Sequence, residues 1–250
     1  MNPRQTADLA TPALIIDVDA LEKNLSTMSA RHPGAKLRPH AKAHKCTEIA
    51  RLQLSHSHKN FTCATPREVI GMATAGIGSD LLLANEVLDA DRLAAIAKVS
   101  ENVHVTIAVD SHETIDAAVR AGLRDVLIDV NVGLPRCGVA PELAGQLADT
   151  ARKAGMTVRG VMGYEGHLMM VSGDEKRKTR VAQSMKLLTH AAKDVGGEII
   201  SAGGTGTWDM HDETGINELQ AGSYALMDTH YAQLKIPFVQ ACFVLGTVIS

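Results

Sequence analysis

A short stretch near the N-terminus, Leu37-Arg38-Pro39-His40-Ala41-Lys42-Ala43-His44-Lys45, concentrates an arginine, two lysines and two histidines. It reads as the end of a strand that runs into a loop and then a helix. An amine at such a position can form a Schiff base once its surroundings lower its pKa. Neighbouring positive charge is one way to lower it. Lys42 is therefore the first candidate for covalent chemistry.

Other polar groups follow later strands. Arg136 and Cys137 lie in Asp129-Val130-Asn131-Val132-Gly133-Leu134-Pro135-Arg136-Cys137-Gly138. Tyr164 and His167 lie in Gly163-Tyr164-Glu165-Gly166-His167. Two further turns, Ser201-Ala202-Gly203-Gly204-Thr205-Gly206-Thr207 and Gln220-Ala221-Gly222-Ser223-Tyr224, close the series. Glycines let backbone N–H groups approach an anion, and Ser or Thr hydroxyls add donors, so these two turns suit phosphate. A lysine across the mouth from a phosphate site is the arrangement that pyridoxal phosphate needs. Each signal alone is weak, because glycine-rich turns are usually only turns and a lone lysine is usually solvated. Their ordered occurrence after successive strands is the stronger argument.

Positioning these groups requires a repeated strand–helix scaffold. Short apolar runs at 13–18, 36–40, 61–64, 80–84, 103–109, 126–130, 158–162, 198–202 and 217–220 alternate with helix-like segments. Asp19 reads as the cap of a helix over 21–30. Thr65-Pro66-Arg67-Glu68 combines a cap, a proline at the first helical position and a carboxylate three residues after the cap. Counted from Lys36, about eight strand–helix units fit the length. That favours an α/β fold of the closed (β/α)8 TIM barrel type, with its site at the C-terminal ends of the strands. An open doubly wound sheet is the alternative, but no G-x-G-x-x-G follows the first strand. The barrel is expected over residues 20–235. Residues 11–19 and 236–250 read as extra strands, either left from a mostly missing C-terminal β domain or paired with each other.

Composition narrows the classes further. The 250 residues are 45% hydrophobic and 21% charged, with net charge −3 and 3% aromatics, which points away from nucleic acid and anionic membranes. No run approaches ~18 uninterrupted apolar residues, and no N-terminal apolar leader is seen. Met1 to Ala10 is polar and reads as flexible. Cys46, Cys63, Cys137 and Cys242 form no C-x-x-C pair and read as reduced, cytoplasmic residues.

The motifs Arg38-Pro39-His40-Ala41-Lys42-Ala43-His44-Lys45, Arg136-Cys137-Gly138, Ser201–Thr207 and Glu218–Tyr224 resemble the D-threonine aldolase and D-serine dehydratase family. That family belongs to the alanine racemase-like, fold-type III pyridoxal-phosphate enzymes, and the resemblance runs from Thr11 to Ser250. It implies that Lys42 carries the cofactor, that Arg136 lies near the cofactor's phenolic oxygen and the substrate carboxylate, and that Tyr164 lies beside the ring. It implies a phosphate held around Gly204, Thr205 and Gly206 with Gly222, Ser223 and Tyr224. Gln220 stands where alanine racemases place an arginine facing the pyridine nitrogen; a neutral group there leaves that nitrogen unprotonated. His40 and His44 either tune Lys42 and meet substrate or are hydrogen-bonded supports, and His167 is a substrate contact or a loop histidine.

The resemblance implies a lyase acting on D-3-hydroxy-amino acids, with retro-aldol cleavage favoured over dehydration. A divalent metal of the Mn or Mg type is expected only with the missing C-terminal domain, and no metal ligands are expected within this chain. A homodimer is implied for the full-length form. Racemization is a weaker reading, because no second base opposite Lys42 is seen. A non-catalytic cofactor-binding barrel is the competing reading, favoured by length. An inactive barrel fragment is the blandest one. His56-Ser57-His58 reads as a solvated loop, and the run Asp174–Lys178 as a charged helix start.

Overall fold

The computed structural model describes residues 8–250. Most of the Met1 to Ala10 segment lies outside the described residues.

Nine strands and seven α-helices form among the described residues. The strands are β1 (Ala13–Ile16), β2 (Asn60–Cys63), β3 (Asp80–Leu83), β4 (His104–Val109), β5 (Asp125–Asp129), β6 (Thr157–Met162), β7 (Ile199–Ala202), β8 (Glu218–Leu219) and β9 (Cys242–Leu245). The helices are α1 (Val18–Arg31), α2 (Thr47–Ser55), α3 (Pro66–Thr74), α4 (Ala90–Val99), α5 (His112–Arg120), α6 (Ala144–Lys153) and α7 (Asp174–Val195).

Strands β2 to β8 pair in chain order, all parallel, into one seven-stranded sheet. Of the expected strand at 36–40, Lys36 belongs to a 3-10 turn, Gly34–Lys36, and residues 37–40 supply the missing stave as an extended segment. Arg38 N donates to Leu219 O and His40 N to Ala221 O on one side, and Thr62 N donates to Pro39 O on the other. The sheet therefore closes on itself into a TIM-type barrel. Strand β1 pairs antiparallel with β9, Ala13 opposite Leu245, as a separate two-stranded sheet.

The strand sequences explain the closure. In β3, Leu81 and Leu83 pack against the helices, while Leu82 points into the barrel with Ala108, Leu127, Met162 and Ile199. Alternate residues take opposite faces, and both faces are buried, so the strands read as near-continuous apolar runs. Helix α1 covers the closing seam, with Leu21, Leu25 and Met28 packed among Leu37, Leu219 and Ala221.

Capping fixes where the helices begin. Thr65 accepts from Glu68 N, Pro66 opens α3, and Glu68 Oε2 accepts from Ala64 N at 2.7 Å. The expected cap at Asp19 is corrected to Asp17, whose carboxylate accepts from Ala20 N at 3.0 Å. Asp17 is the residue with extended backbone, as a cap requires, while Asp19 lies in the first turn and complements the helix dipole. No helix among the described residues is long and apolar enough to cross a membrane.

Candidate active site

A cavity of about 310 Å³ opens at the C-terminal ends of the strands. Lys42 reaches it from a single 3-10 turn, Ala41–Ala43, directly after the closing stave. His40 caps that turn, its Nδ1 accepting from Lys42 N at 3.4 Å. Burial and the charge of Lys42 push His40 well below the ordinary histidine range, so its ring is neutral. The Lys42 side chain is open to the cavity but surrounded on most sides by protein. That environment lowers its pKa, with burial the main cause and the charge of Arg136 next. Lys45 is turned away, paired with Glu68 at 2.9 Å.

Tyr164, from the loop after β6, gives the cavity a flat wall. Lys42 Nζ lies 5.3 Å from its ring centroid and the Arg136 guanidinium carbon 5.5 Å from it. Both cations thus flank one aromatic face system, within cation–π range.

The opposite wall is made by the turns after β7 and β8. Gly204, Thr205, Gly222 and Ser223 all line it. The Thr205 and Thr207 hydroxyls are engaged within the protein: Thr205 Oγ1 accepts from Tyr224 N at 2.9 Å, and Thr207 Oγ1 donates to Glu165 at 2.8 Å. The backbone N–H groups of Thr205, Gly222 and Ser223 make no hydrogen bond within the described residues. Donors of this kind, presented by two adjacent turns, fit a phosphate. Close approach is built in at Gly222, where a Cβ would stand 2.5 Å from His40 O and 3.0 Å from His40 Cβ.

Gln220 is held between the walls. Its Nε2 donates to Ser201 Oγ at 2.9 Å, and Ser201 Oγ donates to Glu218 Oε1 at 2.7 Å. Glu218 pairs with Arg38 at 2.9 Å. Arg38, 1% exposed, also reaches Asp80 at 3.3 Å, and Asp80 pairs with Arg159 at 2.8 Å. The arginine of the N-terminal motif thus anchors the closing stave to both neighbouring regions of the sheet from inside the barrel.

Of the residues singled out in the sequence, His40, Lys42, Arg136, Tyr164, Gly204, Thr205, Gln220, Gly222 and Ser223 come together around this cavity. Four do not line it. His44 turns its Nδ1 to Cys46 N at 3.1 Å, and burial lowers it to about 4. His167 packs against Gly133. Gly206, within the turn after β7, is packed closely on Met169. Tyr224 contributes its backbone to that turn, while its buried ring takes a hydrogen bond from Gln53 at 2.9 Å.

The structure adds Asn85, Glu86 and Tyr231 to the walls and places Cys137, named in the sequence beside Arg136, among them. It also places Glu165 beneath the Gly203–Thr207 turn, fully buried, accepting from Gly203 N at 3.2 Å and Thr207 Oγ1 at 2.8 Å and lying 3.3 Å from His211 Nε2. Glu165 stands in a quoted sequence segment, but nothing in its spacing announces this role. Burial alone would raise its carboxyl; hydrogen bonds from His211 and Thr207 outweigh that and hold it below the usual carboxylate range. Glu86, Asp129 and Cys137 bring side-chain O and S atoms within 4.8 Å of one another; Cys137 Sγ donates to Asp129 Oδ2 and takes a hydrogen bond from Arg136 Nε, each at 3.3 Å.

A closed parallel barrel that brings a lysine of lowered pKa, a flanking aromatic ring and unpaired backbone donors on two adjacent turns to one cavity suits a flat, phosphate-bearing ligand with a carbonyl for the amine. Residues 16–230 match the family model described as alanine racemase, N-terminal domain. The chain is 35% identical over 264 residues to a D-threonine aldolase of Arthrobacter sp, covering 98% of this chain and 69% of that protein. It is 33% identical over 247 residues to a 3-hydroxy-D-aspartate aldolase of Paracoccus denitrificans (strain Pd 1222), covering 91% of this chain and 63% of that one. The crystal structure of D-threonine aldolase from Filomicrobium marinum superposes with a TM-score of 0.90 at 35% identity, over 96% of this chain and 70% of that one. The chain belongs to the alanine racemase N-terminal-domain family and, within it, to the D-threonine aldolase group. It spans between 63% and 69% of the length of the curated relatives it matches.

Proposed function

We propose that this chain is the cofactor-binding barrel of a pyridoxal-phosphate-dependent lyase that cleaves D-3-hydroxy-amino acids to glycine and an aldehyde. One observation carries the reading: Lys42 and Arg136 flank the Tyr164 ring on one side of a cavity whose other side offers unpaired backbone donors from two glycine-rich turns. The cofactor, when bound, supplies the electron sink for the carbanion left by Cα–Cβ cleavage.

The chain's own residues supply the rest. The backbone N–H groups of Thr205, Gly222 and Ser223 would hold the phosphate, and Tyr164 would orient the flat ring. Lys42, its pKa lowered by burial and Arg136, is the nucleophile that carries the cofactor and a base poised in the same cavity. Arg136 attracts the substrate carboxylate. Gln220, a neutral amide fixed through Ser201, would offer the ring nitrogen an uncharged partner. A divalent metal would assist the same reaction by polarising the substrate hydroxyl. The four free cysteines fit a reducing cytoplasmic setting. A homodimer completes the proposed assembly.

The test is the absorbance of the purified protein with pyridoxal phosphate, beside Lys42→Ala, followed by titration with D-threonine. Visible absorbance lost in Lys42→Ala, with aldehyde and glycine formed by the wild type, supports the reading. A 2-oxo acid and ammonia in place of glycine would assign the dehydratase activity named for a 25% identical relative from Delftia sp. (strain HT23). Tight cofactor binding with no product from any D-3-hydroxy-amino acid would make the chain a cofactor-binding protein instead.

A further inference from the structure

The cavity contains an acidic feature that the proposed reaction does not use. Asp129 ends β5 and is 3% exposed. Glu86, from the loop after β3, lines the cavity and faces it. Two carboxylates this close, in a site this buried, do not both ionise without a large penalty. Glu86 Oε1 is sealed from solvent and meets no protein donor among the described residues. A proton held between the two carboxyls removes that conflict.

The surrounding bonds give the pair a role. Cys137 Sγ donates to Asp129 Oδ2 at 3.3 Å, and Arg136 Nε donates to Cys137 Sγ at 3.3 Å. Arg136 is thus tethered to the pair through a thiol, not by direct contact with a carboxylate. We propose that Glu86 and Asp129 share one proton and, through the Cys137 thiol, act as positioning residues that hold the Arg136 guanidinium beside Tyr164, free to receive a substrate carboxylate. This deepens the function proposed above and rests on it for the identity of the carboxylate.

The charge balance favours the arrangement. With one proton the pair carries a single negative charge against the single positive charge of Arg136. With none, a doubly charged pair would draw the guanidinium inward and repel an anionic substrate. Burial, and then the charge of Glu86, raise the Asp129 carboxyl well above the usual range. Burial also pushes the Cys137 thiol up to about 12, so it remains a donor. The charged and titratable groups around the pair are Arg136 and Cys137 from the same loop, Asp110 at the end of β4, and Lys42 and Tyr164 across the guanidinium. The Asp110 carboxylate is turned to Gly138 N at 3.1 Å.

The experiment has two arms. Infrared spectroscopy of the cofactor-free protein across pH, comparing wild type with Glu86→Gln and Asp129→Asn, reads the proton directly. One protonated carboxyl at neutral pH in the wild type, absent from both variants, is expected; no protonated carboxyl in the wild type overturns the shared proton. In the second arm D-threonine is titrated into cofactor-loaded protein and followed by visible absorbance. Glu86→Gln and Cys137→Ser keep a hydrogen bond at each step and should bind near wild-type strength. Glu86→Ala and Cys137→Ala should bind about tenfold more weakly, the loss of roughly one hydrogen bond to a charged group, with kcat much less affected than KM. Equal behaviour of Cys137→Ser and Cys137→Ala would overturn the positioning role. The infrared arm needs neither cofactor nor substrate, so it stands if the aldolase reading itself fails.

Discussion

Removing Glu165 tests how the proposed phosphate cradle is built. Its side chain is fully buried and takes Gly203 N at 3.2 Å and Thr207 Oγ1 at 2.8 Å, with His211 Nε2 at 3.3 Å. Glu165→Ala leaves Gly203 N with no acceptor in the protein interior and reduces Thr207 Oγ1 to a long bond to Gly204 O at 3.5 Å and His211 Nε2 to Thr207 Oγ1 at 3.2 Å. Breaking a buried charged network of this kind costs about 3–5 kcal/mol. For a domain of this size each kcal/mol is worth ~2–4 °C, so Tm should fall by about 6–20 °C. Freed of its anchor, the Gly203–Thr207 turn no longer presents its backbone in one geometry. Affinity for pyridoxal phosphate should then drop by at least about tenfold, or ~1.4 kcal/mol. Glu165→Gln preserves shape but sets an amide N–H against a donor, and should cost ~1–3 kcal/mol. The pH dependence has a definite sign. The Glu165 carboxyl is held below its ordinary range, so its stabilisation is present above that range and is lost as pH falls through the folded-state value. Glu165→Gln should therefore flatten the acid limb of stability. Urea unfolding of the cofactor-free protein and fluorescence titration with pyridoxal phosphate measure both quantities. A loss under about 1 kcal/mol for Glu165→Ala, the size of an ordinary substitution, with unchanged cofactor affinity would refute the reasoning.

Arg38→Leu removes the cation between Asp80 and Glu218 and should destabilise the barrel by about 3–5 kcal/mol in urea, because buried Glu218 loses its cation and Asp80 keeps only Arg159. Asp80 is held below the ordinary carboxylate range by Arg38 and then Arg159, which outweigh burial, so the wild type should lose stability on acidification through the folded-state pKa, and this slope should weaken in Arg38→Leu. Gly222→Ala drives a Cβ to 2.5 Å from His40 O, so equilibrium titration should show cofactor affinity falling steeply while far-UV circular dichroism remains that of the wild type. Arg136→Gln removes the second-largest contribution to the depressed Lys42 pKa, so the alkaline titration of the Lys42 amine, read by its pH-dependent labelling rate, should move to higher pH.

Much of the scaffold was legible because burial on both faces writes itself into strand composition. The runs at 80–84 and 126–130 contain β3 and nearly all of β5, shifted by one residue at an end. The Thr65-Pro66 start of α3 was legible because a cap is a local event, settled within four residues. The first helix shows the limit: Asp17 and Asp19 are equally good caps by type, and only the backbone angle at Asp17 chooses between them. The stave at 36–40 was legible as extended chain, but its partners at Leu219, Ala221 and Thr62 were not.

The candidate site divides in the same way. The sequence by itself determined the chemistry-bearing residues that announce themselves by type and local spacing: Lys42 in its basic motif, Arg136 beside Cys137, and the two glycine-rich turns. Tertiary structure alone decided what acts on them. It turned His44 and His167 away from the cavity, and brought in Glu86 and Tyr231. It set Glu165 under a turn 38 residues further along the chain, and linked Arg38 to Gln220 through Glu218 and Ser201. The physical reason is that capping and alternation are fixed by neighbours a few residues apart. The satisfaction of a buried charge depends on groups that only barrel closure brings within hydrogen-bond reach.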